Sequence, residues 1–325
     1  MYNCISIVVG VSRLHVFKTT IMSLKETGIK ILNKLPYIRG LYAENQRLKS
    51  NSHFYPGHFF SPVVSVKDIE KRATEIWGKP DSDSINAIDL HTDEQIKLVQ
   101  QLTKYYAEMP FGDEKKPNLR YQFVNDAYGH TDGIVLYSMM RHLQPKRMIE
   151  IGSGFSSAVM LDTNQLFFSN SIQLTFIDPY PKKLYTLINE NDKKSSTIIA
   201  SDVQVVKLEV FEELEAGDIL FVDSTHVVKT DSDVNYILFE ILPRLKSGVI
   251  IHFHDIFYPF EYPKEWVLEG RNWNEDYFLK SFLMYNEKFK MILFSDYLHK
   301  LHKDAFKGMP LCYKNSGGNI WLEKL

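Results

Sequence analysis

The chain has 325 residues, 44% hydrophobic and 13% aromatic, with 38 Lys and Arg against 40 Asp and Glu for a formal net charge of −2. That length and apolar content suit one large α/β domain with an extension and exclude a wholly disordered chain. The near balance of charge, with no basic block, excludes an electrostatic footprint for nucleic acid.

Cys4 and Cys312 are the only cysteines, which points to a reducing compartment more than to a disulfide framework. The apolar run "CISIVVGV" near the N-terminus lacks the basic flank and small-residue cleavage site of a signal peptide. No stretch approaches the roughly 18 apolar residues that a membrane-spanning helix needs. The expectation is a soluble, cytoplasmic protein with no membrane span.

The first third reads as interrupted helix. "TIMSLKETGIKILNKL" places its apolar residues on one helical face and ends before Pro36. "SNSHFYPGHFFSPVVS" has neither helical nor strand period and reads as a loop. "SVKDIEKRATEIWG" predicts one helix stopped by Gly78. "HTDEQIKLVQQLTKYYAEM" predicts another, capped by Thr92 or Asp93 and closed by Pro110. The polar linker "FGDEKKPNLR" sets an expected boundary between a helical extension over 1–114 and a second domain over 115–325. The extension is placed either to cover an active site or to form a contact within a homo-oligomer.

Beyond residue 130 the period alternates. "TDGIVLYSMMRHLQP" predicts a helix, "RMIEIGSG" a strand breaking into a glycine turn, and "SSAVMLDTNQLF" the next helix. The strands "IQLTFIDPYP", "STIIASDVQVV", "GDILFVDSTH" and "GVIIHFHD" follow, with helices "PKKLYTLINEN" and "SDVNYILFEILPRL" among them. "KMILFSDYL" and "GNIWLEKL" close the chain as two late strands. The fold class expected is α/β, a doubly wound, mainly parallel Rossmann-like sheet with an antiparallel C-terminal edge.

Gly152 and Gly154 lie where a strand turns into a helix, the place where backbone approaches a ligand closely. Ser156 and Ser157 are placed to cap that helix, and Asp178 ends the following strand, where a carboxylate accepts hydrogen bonds from ribose hydroxyls. Two bare glycines also make an ordinary tight turn. Ser157 stands where a dinucleotide fingerprint has its third glycine, so an NAD(P)-dependent oxidoreductase is the alternative and not the first reading.

With "IEIGSGFSS", "TFIDPYP", "IIASDVQVV", "GDILFVDSTH" and "GVIIHFHDI" in this order, the chain resembles the class I S-adenosylmethionine-dependent methyltransferases over about 115–325. It looks most like the branch with D-x-x-H at one strand end and H-D at the next. The resemblance implies S-adenosyl-L-methionine as cofactor. It sets Glu150, Gly152 and Gly154 beside the methionine part, Asp178 on the ribose and Asp202 near the adenine. Ser156, among the residues implied for the cofactor, departs from the third glycine that many members carry.

Because parallel strands present their C-terminal ends on one side, Asp223, His226, His254 and Asp255 converge beside the methyl donor. Two chemistries compete there. Asp223 and Asp255, with His254, suit a cation such as Mg²⁺, as similar metal-dependent O-methyltransferases place acids at these two strand ends. Alternatively His226 or His254 is a general base, with Asp223 beside it. A structural reading makes Asp223 a helix cap and His252 a bystander. The function expected is O-methylation of a hydroxyl on a small molecule or carbohydrate. A non-catalytic cofactor-binding module is the remaining alternative.

Overall fold

The structure, a computed structural model, describes residue 28, residues 31–32 and residues 34–325. The apolar run at residues 4–11, Cys4 and most of the helix expected over 20–35 lie outside the described residues. The chain divides into two compact units, Met1–Lys67 and Asp68–Leu325, and the polar linker lies within the second. In the first unit a helix runs Pro36–Asn51 with no buried side chain, followed by the expected loop.

The second unit is built on a seven-stranded sheet in the order β3-β2-β1-β4-β5-β7-β6. The strands are β1 (Arg147–Ile151), β2 (Gln173–Ile177), β3 (Thr197–Ile199), β4 (Ile219–Val222), β5 (Ile250–His254), β6 (Phe289–Phe294) and β7 (Asn319–Lys324). The first five are parallel; β7 runs antiparallel to both β5 and β6. β4 is buried at every residue, as a strand covered by helices on both faces must be. The chain order reverses between β1 and β4, and there the crevice of a doubly wound sheet opens.

Several boundaries differ from the sequence reading for local reasons. "SVKDIEKRATEIWG" is two short helices, Val66–Lys71 and Ala73–Trp77, because Arg72 leaves helical geometry at φ −102°, ψ 8°. The third strand stops at Ile199, where Ser201 N donates back to Ile199 O and the chain turns into a 3₁₀ segment, Val203–Val205. The sixth strand stops at Phe294, whose N–H donates to Gln95 Oε1 at 2.7 Å, and Ser295–Leu301 is helical. The helix after β4 passes through a π turn, Ile237–Ile241, just before Pro243, whose ring and missing N–H disrupt a regular ladder.

The polar linker is anchored. Arg120 donates to Asp162 at 2.7 Å and to Asp192 at 2.8 Å, while the N–H groups of Arg120 and Tyr121 also donate to Asp162. Asp162 projects from the helix Phe155–Phe167 and is 1% exposed, so its charge depends on this single guanidinium and two amides. Removing the cation leaves a buried carboxylate uncompensated. Arg120→Met is expected to lower stability by about 3–5 kcal/mol in urea unfolding; a loss under about 1 kcal/mol would show the linker to be a surface tether.

Glu150, in the middle of β1, is fully buried and accepts hydrogen bonds from the hydroxyls of Ser156 and Ser157. Burial pushes its carboxyl up to about 8, against the partial relief of those two donors. A raised folded-state value means the native state favours the protonated acid. Stability is then greatest below the unfolded value near 4.5 and declines as pH rises towards about 8. Glu150→Gln is expected to remove that decline, gaining on the parent protein across this interval; parallel stability–pH curves would contradict a neutral Glu150.

Candidate active site at the strand switch point

Gly152 begins the turn after β1 at φ +83°, in the left-handed region that favours glycine. Its N–H donates to Ile177 O at 2.9 Å, and an added Cβ would stand 1.9 Å from Asp223 O. The β1 and β4 ends close upon each other only because no side chain intervenes. Gly154 is extended, and a Cβ there would meet only Lys183 Cγ at 4.0 Å, so space does not demand glycine at that position.

Asp178, after β2, is held by the turn itself. Ser153 N and Oγ donate to Asp178 Oδ2 at 3.2 and 2.6 Å, and Tyr180 N donates to Oδ1 at 2.7 Å. Around it opens a cleft of about 500 Å³ whose lining includes Gly152, Ser153, Asp178, Asp202 and Asp223. Glu150 and Ser156 bond to one another beneath the turn and do not line the cleft. Five carboxylates, those of Asp178, Asp202, Asp223, Asp231 and Asp233, face a single lysine, Lys229. That lining fits a ligand carrying positive charge and hydroxyl groups, such as a sulfonium nucleoside. It does not fit the pyrophosphate of a nicotinamide dinucleotide.

The histidine–acid cluster forms beside this cleft. The chain leaves β5 into a left-handed residue, Asp255 (φ 56°), which turns the carboxylate back so that Oδ1 lies 3.4 Å from His254 Nε2. His226 is also left-handed (φ 60°), with its carbonyl receiving Asn274 N at 3.0 Å and Glu275 N at 3.2 Å. His226 Nδ1 lies 2.8 Å from Glu275 Oε2, and Ser224 Oγ donates to both Glu275 oxygens at 3.1 Å. The other ring nitrogen, Nε2, stands 3.5 Å from Asp223 Oδ1 and 3.7 Å from Asp255 Oδ2.

These groups set one another's protonation. Burial opposes charge on His226, yet hydrogen bonds to Asp223 and Glu275 prevail and raise its pKa well above the ordinary histidine value. His254 is likewise raised against its burial by the charges of Asp255 and Asp223. Asp223 is held low despite burial, by the charge of His254 and the hydrogen bond from His226; burial lifts Asp255. His252 is different: it is fully buried, stacks on Phe221 at 3.9 Å and abuts Trp321, and burial drives its pKa well down. It packs the core as a neutral ring.

Asp223, Asp255 and His254, the expected ligands of a divalent cation, come together here, with Asp255 Oδ1 3.4 Å from His254 Nε2 and both aspartates within 3.7 Å of His226 Nε2. Among the described residues no group of three or more His, Cys, Asp or Glu side chains is disposed to hold a metal ion. The group between the two aspartates is the His226 ring, its Nε2 3.5 Å from Asp223 Oδ1 and 3.7 Å from Asp255 Oδ2. The reading of Asp223 as a helix cap fails, since the next helix is capped by Ser232, which accepts from Asn235 N.

The sequence reading missed Glu275, which orients His226, and Trp273, whose ring lies 4.4 Å from that imidazole. Both lie in "GRNWNEDYF", well beyond the last parallel strand. No spacing rule links positions 49 residues apart; only the return of the chain brings them together.

Among the described residues no helix is long and apolar enough to cross a membrane. The model of a family described as a methyltransferase domain matches residues 149–256, the stretch from β1 through the turn after β5. An uncharacterized protein of Archaeoglobus fulgidus is 31% identical over 164 residues, 50% of this chain and 74% of that protein. Among solved structures, an SAH-bound methyltransferase from Podospora anserina is 14% identical, covering 75% of this chain and 100% of its own at a TM-score of 0.42. The O-methyltransferase TomG of Streptomyces achromogenes, solved with SAM, is 12% identical over 70% of this chain and 89% of its own, at 0.38. The family match spans the glycine turn, the acidic cleft and the two strand-end motifs of the cluster, and residues 149–256 of the chain are a methyltransferase domain.

Proposed function

We propose that the protein transfers a methyl group to a hydroxyl of a small or carbohydrate-like acceptor, with His226 as general base. The observation that carries this reading is the Glu275–His226 contact of 2.8 Å, which leaves Nε2 directed at Asp223, 3.5 Å away and itself part of the cleft lining. A carboxylate on one ring nitrogen fixes the orientation and leaves the other free to take a proton.

S-adenosylmethionine, when bound, supplies an electrophilic methyl group and departs as the neutral thioether. Gly152 and Ser153 would hold its methionine part, and Asp178 and Asp202 its ribose and adenine. The acceptor O–H gives its proton to His226 Nε2 as the oxygen takes the methyl group. The cation formed on the ring is stabilised by Glu275, Asp223 and Asp255, which already surround it. The same surroundings set a condition: the ring accepts a proton only in its neutral form, so kcat rises with pH along a limb above the ordinary histidine range.

His226→Gln is expected to lower kcat by about 10²–10⁴-fold with S-adenosylmethionine affinity unchanged. Glu275→Gln lowers the maximal rate and moves the limb to lower pH, because one of the charges that raises His226 is gone. Chelation with EDTA leaves the parent enzyme active. Loss of activity with EDTA and rescue by Mg²⁺ would overturn the base reading and return Asp223 and Asp255 to a cation.

Asp178→Ala is expected to weaken S-adenosylmethionine binding by about 1–3 kcal/mol, by losing a ribose acceptor and freeing Ser153. Isothermal titration reads this directly, and unchanged affinity would remove Asp178 from the cofactor site.

A further inference from the structure

Beyond the cofactor cleft, a second and larger cavity of about 940 Å³ opens on the C-terminal side of β5. Its walls include the rings of Trp77, Phe257 and Tyr262. Trp77 is fixed there by donating Nε1–H to Tyr262 O at 2.9 Å. Its charged lining is balanced, with Lys79, Lys280 and Lys300 against Asp81, Glu261 and Asp296. Ser82, Ser84, Asn86 and Ser316 add uncharged polar groups. Such a surface favours neither a phosphate nor a polycation. Aromatic faces among many hydrogen-bonding groups suit a neutral polyhydroxylated molecule, which stacks its C–H faces on rings and spends its hydroxyls on the polar rim.

The cavity wall leads to the reactive histidine through a series of touching rings. Phe257 meets Trp266 at 5.1 Å, Trp266 meets Trp273 at 5.3 Å, and Trp273 meets His226 at 4.4 Å. Trp77, Phe257, Trp266 and Trp273 are each only part-buried, and the Arg271 guanidinium lies over the rings of Trp266 and Trp273 at 4.3 and 5.4 Å. The two acids opening the helix Glu275–Leu283 join the regions: Glu275 holds His226, while Asp276 accepts Phe257 N at 3.2 Å and its own N–H donates to Tyr262 Oη at 3.2 Å. A volume of about 940 Å³ lies near the upper end for small-molecule sites.

We propose that this cavity is an extended acceptor subsite for a neutral oligosaccharide, with Trp77 stacking on one sugar inside it and Trp273, outside its lining and 4.4 Å from the His226 ring, stacking on the sugar to be methylated. The proposal rests on the methyl-transfer reading at His226 and adds the substrate class. Trp273 is in this account a positioning residue that presents one hydroxyl to His226 Nε2.

The test uses six-sugar oligomers of glucose, galactose, mannose and N-acetylglucosamine as probes. Each is titrated into the full-length protein with S-adenosylhomocysteine present, following tryptophan emission and heat. At least one is expected to bind and quench. Trp77→Ala, far from the reacting atoms, is expected to weaken that binding or raise KM at least tenfold, with kcat and S-adenosylmethionine affinity unchanged; Trp77→Phe restores most of it. Failure of all four probes to bind, or binding indifferent to Trp77→Ala, overturns the subsite. An oligomer that binds through Trp77 and is methylated equally fast by His226→Gln leaves the subsite standing and sinks the base instead.

Discussion

At Gly152 the chain has room for a hydrogen atom and nothing larger, because the carbonyl oxygen of Asp223 occupies the space a methyl group would need. That one close approach binds the end of β1 to the end of β4. It aligns the turn carrying Ser153 with the strand end carrying Asp223, and so fixes the floor of the cofactor cleft. Reciprocal bonds secure it: Gly152 N to Ile177 O on one side and Asp223 N to Ile151 O at 2.8 Å on the other. The order reversal of the sheet opens a crevice here, and the glycine makes its walls meet at the bottom.

Electrostatics then divide the site in two. The cleft is acidic and nearly without cations, which suits a positively charged methyl donor. The cluster next to it is self-neutralising, with His226 and His254 set among Asp223, Asp255 and Glu275. Burying that many carboxylates is costly unless each has a partner, and the imidazoles provide the partners. For the proton transfer proposed at His226, the same pairing is preparation, since a ring already surrounded by negative charge favours the proton it would take.

Much of this arrangement was legible in the residues. Alternating strand and helix periods predicted the sheet and its antiparallel edge, and the two strand-end motifs located the cluster. His252 and His254, two apart on one strand, face one way with their rings 6.1 Å apart, and the left-handed Asp255 is what brings the acid round to His254. What the pattern could not carry was set by tertiary contact. Glu150 reads as a cofactor ligand, yet its two serine partners turn it into the core. Arg120 reads as part of a solvated linker, yet Asp162 and Asp192 tie it down. Glu275 reads as one acid among aromatics, and only the fold delivers it to His226.

Whether the acidic cleft binds a sulfonium nucleoside is tested by calorimetric titration. S-adenosylmethionine injected into the protein, with NAD⁺ injected in a matched run, is expected to give saturable one-to-one heat in the micromolar range for the first ligand and none for the second. Heat from NAD⁺ alone, or from neither ligand, would contradict the assignment of the cleft.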